Sequence, residues 1–448
     1  MVRRTSEQKK NAVIVIEVAN RELDNALLLK AELEKRGYHV SIMSKTEQLR
    51  FQETDILITP NCYIKSNYDF YRYRFNCKSG KIVNLQYEQV LSPIEEDNEL
   101  YSLDPTTKQI THICWGRHTV DRLRRKNVNP ELLPVTGAIQ LDTTRPQFDR
   151  YWKSRDQIAE EFGLPREKKW ILYISSFACF IGSKINEVQK ETHTEDNVER
   201  FAVVTDASQR ATLSWFDRFL DETDDYVVIY RPHPVELSSP QVQEVVAKHP
   251  GRFRCIQDYE VKQWLKVADI PCTWLSTAIS ESYFMGKNCL VFRPCEIPED
   301  VDCVLYKGVH AAEDYDAFKA QIIGYQTSAE YFPIDRELIE YYYDFSNEPA
   351  YRKIADVVDG PLPSAQDLDT YEKDRIKYLL ENHLPLKLSI KKAYRGWYRL
   401  TGKKVRNRKF REKFFVEEWE KTVDNRINNS SSIRKKEQLF QEIIRNHP

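Results

Sequence analysis

The sequence predicts an α/β protein of two Rossmann-like domains, each on a parallel sheet and facing the other across a cleft, followed by a helical basic C-terminal extension. Three observations predict this. Short β-branched apolar runs alternate with helix-period segments in two successive series of comparable size. The 448 residues exceed what one ordinary core fills and suit two domains with an appendage. From Lys387 to Lys413 there are twelve basic residues against Glu412 alone, which sets that region apart from an otherwise acidic chain.

The first series opens with an apolar strand at 12–17. A helix at 21–36 follows, with Leu23, Ala26, Leu27, Ala31 and Leu33 at helical spacing. Gly37 stops it, and 38–43 reads as the next strand, a β-α-β unit. Strands at 55–59, 81–86, 110–115 and 132–136, with a helix at 119–126, complete a first domain over residues 1–145. A polar stretch at 146–169, carrying a helix at 155–162, reads as a connection. The alternation restarts over 170–330, with strands at 170–174, 226–230, 253–256, 270–275 and 289–292. Helices at 208–220, 241–248, 261–268 and 278–285 lie between them. Helical patterning continues in 331–366, and 367–448 reads as a helical basic tail.

Composition narrows the function classes. The chain begins with charged residues, and the apolar run at 12–16 is far shorter than a signal-peptide core or a membrane span. Nine cysteines without C-x-x-C spacing read as reduced core thiols of a cytosolic protein. Neither G-x-G-x-x-G nor G-x-x-x-x-G-K-[ST] occurs, which argues against a dehydrogenase or a P-loop kinase. A G-x-S-x-G elbow and clustered metal-ligand spacing are also missing from the sequence.

Chemistry concentrates in the second series. The strand ending at Arg231-Pro232-His233-Pro234 delivers a cation and an imidazole to the carboxyl end of a parallel strand, where ligands of such sheets bind. Arg231 and His233 suit a phosphate leaving group, because both neutralise charge that grows as the donor bond breaks. Pro232 and Pro234 stiffen the turn. The strand at 270–275 runs into Ser276 and Thr277 at the start of a helix carrying Glu281. Their hydroxyls can bind a phosphate or cap the helix, and Glu281 is placed to reach a ribose hydroxyl or a base edge. Ser175 and Ser176 end the first strand of the same series and are expected to approach the donor phosphate.

The segments Arg231-Pro-His-Pro, Val261-Lys-Gln-Trp-Leu-Lys-Val-Ala-Asp269 and Ser276-Thr-Ala-Ile-Ser-Glu281 resemble bacterial surface carbohydrate biosynthesis proteins. More distantly the chain is similar to His-Pro-motif transferases that use cytidine nucleotides: sialyl-, polysialyl- and Kdo-transferases and teichoic-acid glycerophosphotransferases. Glu17, Arg21, Glu22, Leu23 and Asp24, then Trp115-Gly116, Thr136-Gly137 and Asp142, fit the same pattern, so the resemblance spans about residues 12–294. It implies a GT-B fold whose last helices cross back toward the first domain. It further implies that His233, Ser276 and Thr277 hold a cytidylate phosphate. Where the teichoic-acid enzymes usually present an Asp-Tyr-Ser-Ser-like element this chain has Trp274-Leu-Ser-Thr, which ranks a CMP-activated 3-deoxy-ulosonic or sialic-type sugar above a CDP-polyol donor.

An inverting transferase needs a base near the acceptor hydroxyl, generally from the first domain. Glu88 after the strand at 81–86 is the leading candidate and Glu17 the second. His118, Arg21 and Asp24 are further acceptor-side candidates. No cofactor or metal is expected, since protein cations and helix N-termini can stabilise the leaving group. The expected partners are the nucleotide-activated donor, a glycan or lipid-linked acceptor and an anionic membrane surface, without nucleic acid. Lys391, Lys392, Arg395, Trp397, Arg399, Lys403 and Lys404 would meet that surface on the inner face of the cell membrane. The competing readings are a sugar-nucleotide 2-epimerase on the same scaffold and a non-catalytic scaffold in polysaccharide assembly.

Overall fold

The computed structural model describes residues 10–16, 19–44, 54–62, 81–87, 91–96, 101–103, 105, 107–177, 195–233, 236, 239–325, 334–363, 384–401 and 430–447. It divides into two compact units: Met1–Gln89, Ser102–Asp142 and Tyr343–Pro448 form the first, Val90–Tyr101 and Thr143–Tyr342 the second.

In the first unit the strands are β1 (Asn11–Ile16), β2 (His39–Ser44), β3 (Ile56–Thr59), β4 (Lys81–Asn84) and β5 (Thr111–His112). All pair in parallel, in the order β2-β1-β3-β4-β5. The apolar run of β1 is buried on both faces, as a central strand of a parallel sheet must be. Helix α1 (Ala19–Lys35) ends where Gly37 takes φ +94°, a left-handed conformation that only glycine adopts cheaply. Helix α2 spans Arg117–Arg125.

The expected strand at 132–136 is reduced to one isolated bridge, Cys114 to Val135. A 3₁₀ turn at Pro130–Leu132, capped by Asn129, takes up its start, and Pro134 has no N–H to donate to a ladder.

The long run of the second unit, Thr143–Tyr342, takes in the whole segment expected to be a connection. Helix α3 (Arg155–Phe162) opens on a capping box, Ser154 with Gln157, and closes on Gly163 at φ +62°. Its Ile158 and Ala159 are buried in the second core, so this stretch belongs to the unit it precedes. The strands are β6 (Lys169–Ile174), β7 (Tyr226–Arg231), β8 (Phe253–Cys255), β9 (Ile270–Thr273) and β10 (Leu290–Val291). They lie parallel in the order β10-β9-β6-β7-β8.

The connecting helices are α4 (Glu195–Glu222), α5 (Pro240–Lys248), α6 (Val261–Val267), α7 (Ile279–Phe284) and α8 (Tyr315–Ile323). They cover both faces of the sheet. One core joins Tyr173, Tyr230 and Phe292 of the sheet region to Phe216 of α4 and Phe318 of α8; the other joins Trp170, Leu172, Val227 and Ile229 to Trp264 of α6. This is the doubly wound arrangement implied by strands that read as unbroken apolar runs. Helix α9 (Arg336–Tyr342) closes the unit.

The chain then returns to the first unit with α10 (Ala350–Asp359), α11 (Leu384–Thr401) and α12 (Ser430–Asn446). Arg36 at the end of α1 bonds Asp356 at 2.6 Å and Asp359 at 2.9 Å on α10. The Asp142 carboxylate, buried, accepts from the backbone N–H groups of Ala350 at 3.0 Å and Tyr351 at 2.7 Å, satisfying the first turn of α10.

Candidate functional site

Strands β9, β6 and β7 are neighbours, and their register pairs Ile174 with both Thr273 and Arg231. The residues immediately after each strand therefore emerge side by side at one carboxyl edge: Ser175 and Ser176, then Pro232 and His233, then Trp274 to Thr277. Parallel pairing brings together three sequence segments up to a hundred residues apart, with no local signal beyond their strand-end positions.

On the face of α4 the edge is organised by Glu236. Its carboxylate accepts from Ser175 Oγ at 2.6 Å, from Tyr230 Oη at 2.6 Å and from the His233 backbone N–H at 3.0 Å. Gln209 of α4 donates to the same carboxylate at 3.4 Å and to Tyr230 Oη at 3.3 Å. The Glu236 N–H returns a bond to the His233 carbonyl at 2.8 Å, and Gln257 donates to that carbonyl at 3.0 Å. Both sides of the His233 peptide are thereby held while the residue itself remains exposed. Burial raises the Glu236 pKa, opposed by the bonds from Ser175 and Tyr230.

Ser175, expected at the donor phosphate, has its hydroxyl engaged in this network. Ser176 accepts the Leu275 N–H at 3.2 Å and ties the ends of β6 and β9 together.

Arg231 turns to the opposite face. It is 8% exposed and bonds the Tyr259 carbonyl at 2.5 Å. Tyr259 reaches this position with φ +63°. Burial lowers the Arg231 pKa to about 10, against the attraction of Glu260 and Asp258. Its guanidinium thus lies beneath the edge, braced by the loop after β8, rather than projecting beside His233.

Glu260 also bonds Lys262 at 3.1 Å, and Lys262 reaches Thr143 Oγ1 at 2.9 Å. Burial raises the Glu281 pKa, with Lys262 as the opposing charge, and Ser280 Oγ lies 3.1 Å from the Glu281 carboxylate, which shares the hydroxyl proton with the Thr277 carbonyl. Glu260 and Lys262 therefore form an ion pair below the strand ends, and each also offsets the burial of an opposite group, Arg231 and Glu281 respectively. Lys262 escapes sequence reasoning because α6 reads as an ordinary amphipathic helix.

Ser276 Oγ accepts the Ala278 N–H at 3.3 Å, and its carbonyl accepts from Tyr306 Oη at 2.7 Å. Thr277 is exposed. Its carbonyl receives Ser280 Oγ at 2.8 Å. The helix α7 starts two residues later, and its N-cap Ala278 has no side-chain cap, so Ser276 shapes the turn before the helix.

Elsewhere in the first unit, Asp24, Arg21 and His118 are engaged or buried within the fold. Asp24 pairs with Lys436 of α12 at 2.8 Å, Arg21 bonds Glu22 at 3.0 Å, and His118 is buried in the first turn of α2. Glu17, Glu88, Pro234, Lys403 and Lys404 lie outside the described residues. The backbones of Lys391, Lys392, Arg395 and Arg399 belong to α11, but their side chains are outside the described set; Trp397 on that helix is 40% exposed.

No family model and no curated protein matches the chain. Solved structures do. A histidine-to-asparagine form of the wall teichoic acid polymerase TagF soaked with CDPG aligns at 11% identity and TM-score 0.51, covering 78% of this chain and 88% of that one. A second TagF structure aligns at 12% identity and TM-score 0.51 over 79% and 89% of the two chains. A putative UDP-N-acetylglucosamine 2-epimerase from Listeria monocytogenes aligns at 11% identity and TM-score 0.50 over 79% and 96%. At such identities the likeness is one of fold, and with two parallel Rossmann-like sheets it makes this chain an α/β protein of the GT-B type.

Proposed function

We propose that the chain is a transferase that moves a group from a nucleotide-activated donor to a carbohydrate acceptor. The observation that carries this is the gathering of His233, Ser176, Ser276 and Thr277 at the carboxyl ends of three adjacent parallel strands. An exposed imidazole on a doubly anchored turn, with hydroxyls on the neighbouring strand ends, suits a phosphate whose charge grows as the donor bond breaks. In this reading His233 donates a proton or hydrogen bond to the departing phosphate oxygen. Thr277 contributes a hydroxyl, and Glu281 binds the nucleoside from below. Glu88, or failing that Glu17, takes the acceptor proton.

The transferred group we favour is a CMP-activated 3-deoxy-ulosonic or sialic-type sugar. A polyol phosphate from a CDP donor is the second choice, supported by the fold likeness to TagF. The likeness to the Listeria protein keeps a UDP-sugar 2-epimerase as the competing reading. Neither a cofactor nor a metal is called for by the leaving-group chemistry assigned to these residues. The acceptor is read as a surface glycan or its lipid-linked precursor, with α11 and the basic residues Lys403 and Lys404 resting on an anionic membrane face.

Calorimetric titration of the whole chain with CMP, CDP, UDP and GDP tests the proposal. Cytidine preference supports transfer, uridine preference moves the protein to the epimerase reading, and binding of none of the four removes the nucleotide site.

A further inference from the structure

Glu236 belongs to no catalytic or binding role assigned so far, yet it is the most heavily bonded carboxylate at the strand edge. Its two oxygens receive Ser175 Oγ at 2.6 Å, Tyr230 Oη at 2.6 Å, Gln209 Nε2 at 3.4 Å and the His233 N–H at 3.0 Å. These donors come from the end of β6, from β7, from α4 and from the turn itself. Three are side chains, and Ser175, Gln209 and Tyr230 are almost fully buried.

We infer that Glu236 is a positioning residue: it converts the buried hydroxyls of Ser175 and Tyr230 into a fixed anchor for the His233 peptide, and so sets where the imidazole stands at the edge. The inference rests on the reading that His233 meets the donor phosphate. The carboxylate divides the work between its two oxygens: one takes the Ser175 hydroxyl and the His233 N–H, the other the Tyr230 hydroxyl and the Gln209 amide. Glutamine can keep the first pair on its single oxygen and donate its NH₂ to the Tyr230 hydroxyl, so the change that removes the anchor is leucine, apolar and of similar size. The loop then loses its anchor without loss of volume. Ser175 acts through Glu236 in this arrangement, which explains why a strand-end serine is turned away from the edge.

Two measurements on the full chain test this. In hydrogen exchange, Glu236→Leu should speed exchange of the His233 amide about tenfold or more, while the amides of β6 and β7 keep their protection. Ser175→Ala, a milder change, should give a smaller increase in the same amide. Unchanged exchange at His233 in both variants overturns the inference, as does a general loss of protection across the sheet, which would assign Glu236 to stability alone.

The second measurement uses CDP as the affinity probe. His233→Ala and Glu236→Leu should each weaken CDP by about tenfold, and the double variant should be no weaker than His233→Ala, because both changes remove one contact. Additive losses would separate Glu236 from His233. If CDP binds the parent protein but His233→Ala leaves its affinity unchanged, the functional reading of His233 fails while the exchange result still decides the anchor.

Discussion

Burial assigns different chemistry to His112, the last residue of β5, and His233, two residues past the end of β7. His112 ends β5 fully buried, its Nε2–H donating to the Thr107 carbonyl at 2.8 Å, while the amides of Asn84 and Gln86 face Nδ1 at 3.0 Å. The carbonyl can only accept, so the proton sits on Nε2 and the ring is neutral. Burial lowers its pKa from 6.5 to about 4. Between those values the unfolded chain binds the proton and the folded chain does not. Stability therefore falls as pH drops through that window and levels off below it, by about 3 kcal/mol in all. Denaturant unfolding at pH 7 and pH 5 should show this slope and a shallower one in His112→Gln; equal slopes would remove His112 as its source. His233 is exposed, and the prediction for it concerns rate. His233→Ala should keep the fold by circular dichroism and lose turnover by roughly 10²-fold, the scale for removing one stabilising donor from a leaving group. Wild-type turnover would exclude it from the mechanism.

Among the elements, the turn from Thr136 to Asp142 shows how a motif can look functional and be architectural. Gly137 has φ +83°, and a Cβ there would lie 2.3 Å from the Asp344 carbonyl oxygen. Gly137→Ala therefore combines backbone strain with a clash against main chain, and should cost about 2 kcal/mol or more. Asp142→Ala uncovers two N–H groups at the start of α10 and should cost about 1–2 kcal/mol. Thermal unfolding of both variants checks these values, and a melting point unchanged in either refutes that role. The helix α4 is longer than its apolar periodicity indicates. Its face toward the sheet carries buried Thr205, Ser208, Gln209 and Thr212, which blur a hydrophobic stripe. Of these, Gln209 makes sense only beside Tyr230 and Glu236, while Thr205 bonds the Phe201 carbonyl one turn back at 2.7 Å.

For the whole molecule, the C-terminal region completes the first unit. Helix α12 packs on α1 through buried Phe440, Ile443 and Ile444, with Lys436 on Asp24 and Lys30 on Glu437 at 2.9 Å. Removing residues 430–448 should lower the melting of the first unit and leave that of the second in place, since α12 belongs to the first unit and packs on its α1. Calorimetry resolving two transitions is the check, and a uniform shift of both would contradict it. Among the described residues no helix is long and apolar enough to cross a membrane. Helix α11 instead exposes Leu386, Trp397 and Leu400 at spacings that share a helical face, on a segment rich in Lys and Arg. Co-sedimentation should show binding to anionic vesicles that weakens as salt rises. Equal partitioning to anionic and neutral vesicles, or to neither, would sink the membrane reading.

Periodicity alone determined that there are two parallel α/β series, because unbroken β-branched runs separated by helix-period segments have few other solutions. It located most strands and helices, and it drew attention to the Arg231–His233 turn at a strand end. The direction in which strand-end side chains project was decided only by tertiary structure. Arg231 and Tyr230 are neighbours on β7, and pleating sends them to opposite faces, one to the Tyr259 carbonyl and the other to Glu236. Glu236 was visible three residues beyond His233, but its role depends on Ser175 and Gln209, which are far away in sequence and brought close by sheet order. Asp24 likewise reads as a free carboxylate near the start of a helix until Lys436, more than four hundred residues later, pairs with it. Local patterning is set by backbone geometry and burial and is legible in a window of residues, whereas the pairing of buried polar groups depends on which segments the sheet makes neighbours.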